Sequence, residues 1–240
     1  MSAARLAALI QASQPCVVLT GAGISTESGI PDFRSPTGIW ATYDPMEVAT
    51  IDAFRRDPAL VWEFYVRRLG VLADVQPNDG HRAIAELERL GLVRAVVTQN
   101  VDGLHQRAGS RDVIEVHGSL REAVCPACGA YEPMDGVLRQ LESATVPSCP
   151  ACGDVLKPGV VMFGELLPPT AIDRAIELAR AAALVLVVGS SLEVWPVAGL
   201  PLEARAFAIV TNGPTALDER AALRVDAAAG ETLGAVVAAL

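Results

Sequence analysis

Lysine is almost missing from this 240-residue chain. Lys157 is the one lysine among 19 basic residues, set against 28 acidic ones, for a net charge of −9. A sequence-independent grip on nucleic acid or on an anionic membrane needs clustered Lys and Arg, so neither partner is expected. Long apolar runs are missing as well. The longest, Ala181–Val188, is far too short to span a bilayer, and Met1–Ser13 reads as an amphipathic first helix, not a signal peptide. Histidine is scarce: His81, His105 and His117 are the only imidazoles available for acid–base work near neutral pH. Of five cysteines, four fall into paired groups suited to a metal, which argues against the disulfide framework of a secreted domain. What remains is a cytoplasmic, soluble, globular chain, 51% hydrophobic, with room for one large domain or a large and a small one.

The most informative stretch is Leu19–Trp40, LTGAGISTESGIPDFRSPTGIW. An apolar strand, Cys16–Leu19, runs into Gly21-Ala22-Gly23, where missing Cβ atoms permit unusual torsions and close approach. A strand entering Gly-x-Gly at a helix start suits a pyrophosphate held by backbone N–H groups. The ordinary dinucleotide fingerprint G-x-G-x-x-G is incomplete, because Thr26 stands where its third glycine belongs. Instead the loop continues through Pro31 into Asp32-Phe33-Arg34.

Further on, the pattern predicts helices over Pro58–Ala73 and His81–Leu90, and strands at Val93–Thr98 and Val113–Val116. His81 then begins a surface helix, and His105 lies on a short polar one. A strand at Val160–Phe163, a helix at Thr170–Ala182 and a strand at Ala183–Val188 follow. A short helix near Pro196–Ala204, a strand at Phe207–Thr211 and a tail helix at Glu231–Ala239 complete the pattern. Strands alternating with helices make this an α/β protein with a mostly parallel sheet covered on both faces. Polar loops at Gly21, Gln99, His117, Gly189 and Asn212 follow the strand ends, where ligands bind in such sheets.

Cys125–Cys152 has a different character, with cysteines, prolines and little apolar periodicity. Cys125-Pro-Ala-Cys128 and Cys149-Pro-Ala-Cys152 are two knuckles that can fill the four corners of a tetrahedral zinc site. Gly129 and Gly153 follow each pair, where a knuckle turn needs positive φ. Four thiolates close the coordination sphere, so one structural Zn2+ is expected.

Taken with Thr98-Gln-Asn-Val-Asp-Gly-Leu-His105, Glu115-Val-His-Gly-Ser119 and Lys157-Pro-Gly-Val-Val-Met-Phe-Gly-Glu165, these motifs make the chain resemble a sirtuin, an NAD-dependent protein-lysine deacylase. The resemblance covers almost the whole chain. It implies a Rossmann-like NAD-binding domain from residues 1–40, 76–120 and 155–240. A small domain would be formed by a helical module, 41–75, and a zinc module, 121–154. It implies acylated-lysine proteins or peptides as partners and NAD+ as a consumed co-substrate; with little beyond the catalytic core, a monomer is expected. His117 matches the catalytic base. In the implied mechanism the acyl-lysine oxygen attacks the nicotinamide ribose and nicotinamide leaves. His117 then activates a ribose hydroxyl, and O-acyl-ADP-ribose and free lysine result. Asn100 and Asp102 match the groups that hold the nicotinamide ribose and amide, and Gln99 a ribose contact. Gly21, Ala22, Gly23, Thr26, Asp32, Phe33 and Arg34 carry over as cofactor-loop residues, with Pro31–Trp40 a mobile lid. Gly189, Ser190 and Ser191 match the second phosphate and ribose contact, Asn212 with Gly213 the adenosine ribose. Backbone at Val160, Val161 and Phe163, with Leu192–Val194, would add the substrate peptide as a strand.

One feature narrows the acyl group. Tyr65 and Arg68 sit at i and i+3 on a helix and share a face, while Arg67 points elsewhere. A phenol and a guanidinium facing an acyl pocket suit a carboxylate such as succinyl or malonyl. This Tyr-x-x-Arg pattern resembles the desuccinylase and bacterial-deacylase class, as does Val48-Ala49-Thr50, where Ala49 leaves acyl room. Two other functions fit the same motifs: mono-ADP-ribosyl transfer or NAD hydrolysis on the same site, and a non-catalytic NAD-sensing or zinc-docking protein.

Overall fold

The computed structural model describes residues 2–240. Helix α1, Ser2–Ala12, lays Leu6, Ala7 and Ile10 on the sheet, and β1, Cys16–Thr20, is buried at every residue. The glycine loop leads into a 3-10 segment, Ala22–Ser28, where the sequence pattern expected an ordinary helix start. Two short helices follow, α2, Pro45–Val48, and α3, Ile51–Arg56, capped by Asp44 and Thr50. Asp57 then caps α4, Pro58–Asp74, through the Leu60 N–H, with Pro58 in the first turn where its missing N–H costs nothing. Helix α5, Asp79–Arg89, is capped by Asn78.

Next come β2, Ala95–Thr98, α6, Leu104–Ala108, and β3, Val113–Glu115. Strands β4, Gly118–Val124, and β5, Tyr131–Pro133, precede α7, Met134–Leu141. The chain continues through β6, Lys157–Val160, α8, Pro169–Ala181, and β7, Leu184–Val188. It ends with β8, Phe207–Val210, β9, Leu223–Val225, and α9, Ala229–Ala238.

Six strands form one parallel sheet in the order β3-β2-β1-β7-β8-β9. Counted within that sheet the order is 3-2-1-4-5-6, the doubly wound dinucleotide-binding order, so the Rossmann-like expectation holds. Direction of winding reverses between β1 and β7. Each face of the sheet carries its own core. Leu6, Ile10, Ile84, Leu87 and Leu233 cover one face, and Leu178, Val197 and Leu200 cover the other. A third core joins Val48, Val61, Trp62, Phe64 and Tyr65 to Leu120, Cys125, Val137, Cys149 and Leu156. A small antiparallel sheet, β5-β4-β6, lies beside it. No described helix is long and apolar enough to cross a membrane.

Several sequence expectations need correction. The strand expected at Val160–Phe163 lies earlier, at Lys157–Val160. Its Pro158 is tolerated because β6 is an edge strand, and Phe163 forms only an isolated bridge to Thr50. The cysteine-rich insert does contain an amphipathic helix, α7, which buries Met134 and Val137; two turns diluted by Gly136 hide its period. The expected helix near Pro196–Ala204 is a 3-10 segment, Val197–Glu203. The tail helix starts two residues early because the Glu27 carboxylate accepts the Gly230 N–H, a partner far away in sequence.

Candidate active site

A cleft of about 730 Å³ opens over the carboxyl ends of β1, β2, β7 and β8, at the reversal of the sheet. Its floor is glycine on glycine. Gly23 N–H donates to the Gly189 carbonyl at 2.8 Å, and a Cβ on Gly23 would sit 2.8 Å from that oxygen. Gly189 has φ +62, and a Cβ there would lie 2.1 Å from Ile24 N. Gly21, by contrast, has φ −128, which any residue can adopt. Close approach, not torsion, is therefore what requires glycine at positions 21 and 23. Thr26 turns its hydroxyl back to the Gly23 carbonyl at 2.9 Å and braces this turn.

Behind the glycines lies a buried polar network. The Asn100 amide donates to the Gly21 carbonyl at 3.1 Å and to Ser25 Oγ at 3.2 Å. The Ser25 hydroxyl donates to Asp102 Oδ2 at 2.7 Å, and Leu104 N–H donates to Asp102 Oδ1. Burial pushes the Asp102 carboxyl up from its ordinary value, opposed by those bonds and by the Arg68 charge. Ser25 is absent from the sequence-derived site. Its place inside GAGIS was the available signal, but six hydroxyls in that stretch blurred it.

The three histidines separate cleanly. His81 is fully buried, contrary to the surface position expected for it, with Asn78 Oδ1 3.1 Å from its Nδ1. His105, expected on a short polar helix, is 1% exposed, and its Nε2 lies 2.9 Å from Thr20 Oγ1. Thr20 passes its own proton to Thr98 Oγ1, which accepts the Asn100 N–H. The two rings are 4.9 Å apart, and burial lowers them to about 4 and about 3, so both are neutral at pH 7. His117 alone lines the cleft. Its Nδ1 lies 3.2 Å from the Gln99 carbonyl, which fixes the ring proton on Nδ1. Burial lowers this imidazole too, against the opposing pull of that hydrogen bond. Gln99 continues the chain of contacts by donating to Ser190 Oγ at 3.0 Å.

Helix α4 supplies the apolar end of the cleft. Tyr65 and Arg68 both line it, together with Ala49, Phe33 and Phe64. The Arg68 guanidinium lies 5.0 Å from the Phe33 ring centroid and 5.8 Å from that of Phe64. Among the described residues it forms no ion pair, and burial lowers its pKa. Burial also raises the Tyr65 phenol to about 12, so it stays a donor. Arg67 faces solvent, paired with Glu63 at 2.7 Å. Arg34 is paired across the cleft mouth with Glu193 at 3.1 Å. Asp32 accepts the backbone N–H groups of Arg34 and Ser35, holding the shape of its own loop.

Of the remaining sequence-derived residues, Ala22, Ser191, Asn212 and Gly213 line the rim, and Val160, Val161 and Phe163 form the opposite wall. Val161 N–H is committed to the His117 carbonyl at 2.8 Å, and Phe163 N–H to Ala49.

Away from the cleft, the four cysteine sulfurs lie within 4.8 Å of one another, with Cys125 to Cys152 at 3.5 Å and Cys128 to Cys149 at 3.7 Å. A tetrahedral zinc with bonds of about 2.3 Å spaces its sulfurs about 3.8 Å apart, so the residues fit the ion. Gly129 and Gly153 adopt φ +74 and +81, as the knuckles require. The cluster is remote from the cleft and has no open ligand position, so bound zinc is a clip for the fold.

Known proteins resemble this chain over most of its length. The Sir2 family model matches residues 21–196. The NAD-dependent protein deacylase 2 of Pyrobaculum aerophilum is 48% identical, over 97% of this chain and 93% of its own length. The NAD-dependent protein deacetylase 1 of Geobacillus kaustophilus is 51% identical, over 88% of this chain and 87% of its own. A solved Sir2 structure with a deacetylated p53 peptide and 3'-O-acetyl ADP ribose superposes with a TM-score of 0.95 at 40% identity, covering 99% of this chain and 98% of that one. Another, with a p53 peptide and NAD+, gives 0.89 at 39% identity, covering 97% and 96%.

Proposed function

The chain belongs to the Sir2 family and is an NAD-dependent protein deacylase, and from that premise we propose how its residues divide the work and which acyl groups it takes. The observation that carries the reading is His117, the one histidine in the cleft, held with Nε2 unprotonated beside Gln99, Asn100 and Asp102. His117 acts as the general base toward a ribose hydroxyl of NAD+. Asn100 and Asp102 orient the nicotinamide end, and the Ser25 hydroxyl fixes the Asp102 carboxylate. The Gly21–Gly23 and Gly189–Ser191 backbones hold the pyrophosphate, on two loops that added Cβ atoms would force apart. Asn212 and Gly213 take the adenosine ribose, and Pro31–Trp40 closes over the reacting ribose.

An acyl-lysine peptide lies along Val160–Phe163 and Leu192–Val194. The relatives solved with p53 peptides support a peptide substrate. In this division, 1–40, 76–120 and 155–240 bind NAD+, while 41–75 and 121–154 form the small domain. Strand β4 straddles one of its joints, at 120/121.

The acyl pocket takes succinyl and malonyl groups as well as acetyl. Support comes from an Arg68 guanidinium without an ion-pair partner among the described residues, next to a Tyr65 phenol that remains protonated. A carboxylate there would gain charge-assisted hydrogen bonds beside a partly buried guanidinium. A panel of acetyl, malonyl and succinyl peptides with NAD+, following nicotinamide and O-acyl-ADP-ribose together, tests the whole reading. Nicotinamide release without acyl-ADP-ribose would point to ADP-ribosyl transfer or NAD hydrolysis instead.

A further inference from the structure

A wall that receives an extended peptide has to keep its shape before the peptide arrives. Residues 160–165 are held by an ion pair between a buried lysine and a partly buried glutamate. Lys157 is 5% exposed, and its ammonium donates to the Pro158 carbonyl at 3.0 Å, the Val160 carbonyl at 2.6 Å and Glu165 Oε2 at 3.0 Å. Its three N–H groups are thereby all engaged. The same Glu165 oxygen accepts the Met162 N–H at 2.8 Å, while Glu165 N–H donates back to the Met162 carbonyl at 3.0 Å. Gly164, at φ +89, lets the chain turn between them. The result is a closed buckle under the cleft wall.

Stability alone is a poor reason for such a device. Desolvating two charges costs about as much as their attraction returns, and an apolar pair of similar volume is often as stable. What an apolar pair could not do is bind the Val160 carbonyl and the Met162 N–H. Those bonds fix the backbone on either side of Val161, whose own N–H is tied to His117.

We infer that Lys157 and Glu165 are positioning residues that hold the Val160–Phe163 backbone in the shape that receives the acyl-lysine peptide. They set peptide affinity through the shape of that backbone. This rests on the peptide wall proposed above.

The test uses the full chain with Glu165→Ala, Lys157→Met, Lys157→Arg and Phe163→Ala. Glu165→Ala and Lys157→Met are expected to raise the KM for an acetyl peptide about tenfold with kcat little changed, the mark of lost uniform binding. The Kd for NAD+ by calorimetry should stay within about twofold, and Lys157→Arg should restore much of the peptide affinity. Because Lys157 is the only lysine, an amine-reactive label read by mass spectrometry on its peptide reports the buckle directly. Labelling should speed up in Glu165→Ala and slow again when acyl peptide is added. A lower Tm with peptide KM unchanged, or equal losses toward peptide and NAD+, overturns the inference. If only Phe163→Ala weakens peptide binding, the buckle fails and the wall stands; if no variant does, both fail. Should the Ala and Met variants not fold, Glu165→Gln, which keeps an acceptor for Met162, should still raise peptide KM about threefold, and no change there overturns the idea.

Discussion

His117 and Gln99 are joined by one hydrogen bond, ring Nδ1 to backbone carbonyl, at 3.2 Å. A carbonyl only accepts, so the ring keeps its lone pair on Nε2. Burial holds the imidazole below its ordinary value of 6.5, so the neutral base persists into mild acid. Activity is lost as pH falls through that lowered pKa, and the acid limb of kcat/KM should lie below 6.5. His117→Ala should cut acyl transfer by about a hundredfold or more. A wild-type limb at or above 6.5 would show that something other than this imidazole is being titrated.

The buried histidine pair makes the fold sensitive to acid. In the unfolded chain both rings titrate near 6.5, but folded His81 and His105 take up protons only near about 4 and about 3. Between those values the unfolded chain binds more protons, so stability falls as pH drops from about 6.5 toward 3. His81 accounts for on the order of 3 kcal/mol across its window. Urea unfolding at several pH values should show a shallower slope for His81→Asn than for wild type; parallel slopes would refute the assignment.

Zinc should report on the fold more than on the chemistry. Cys125 and Cys149 belong to the same core as Trp62 and Phe64, so losing the ion loosens α4 as well as the knuckles. Atomic absorption should find one zinc per chain. In Cys128→Ala the metal should be lost and Tm should drop by about 5 °C or more, given 2–4 °C per kcal/mol at this size. A metal-free variant with unchanged Tm would contradict that role.

Arg68→Met should reduce succinyl-peptide turnover by about 10- to 100-fold, the worth of a hydrogen-bonded charge, and affect acetyl turnover far less. Tyr65→Phe should follow in the same direction with a smaller loss. Unchanged succinyl activity in Arg68→Met sinks the carboxylate clamp.

Much of this molecule could be read before its structure. Cys16–Thr20, Leu184–Val188 and Phe207–Val210 are apolar, mostly β-branched runs closed by polar loops, and both signals are local. The cleft was legible for the same reason, since its residues come as short contiguous motifs at strand ends. Strand β4 was not, because a register irregularity between Gly118 and Ala123 breaks its alternation and leaves Arg121 and Glu122 exposed side by side. Nor was the burial of His81. Its ring meets His105 on α6 and Ser25 in the glycine loop, and no local pattern records those distant contacts. The Arg34–Glu193 pair escaped likewise, as a meeting of two distant loops.

The glycine floor also constrains how the molecule is made. Strand β1 gains β2 as a neighbour earlier, but its other edge waits for β7, about two thirds of the chain later. Gly23 cannot donate to Gly189 until a ribosome has released both, so most of the polypeptide must emerge before the dinucleotide has anywhere to bind. Pairings this distant in sequence form slowly. The nascent protein therefore passes through a period in which its first strand has a bare, apolar edge and the ligand cannot yet protect it.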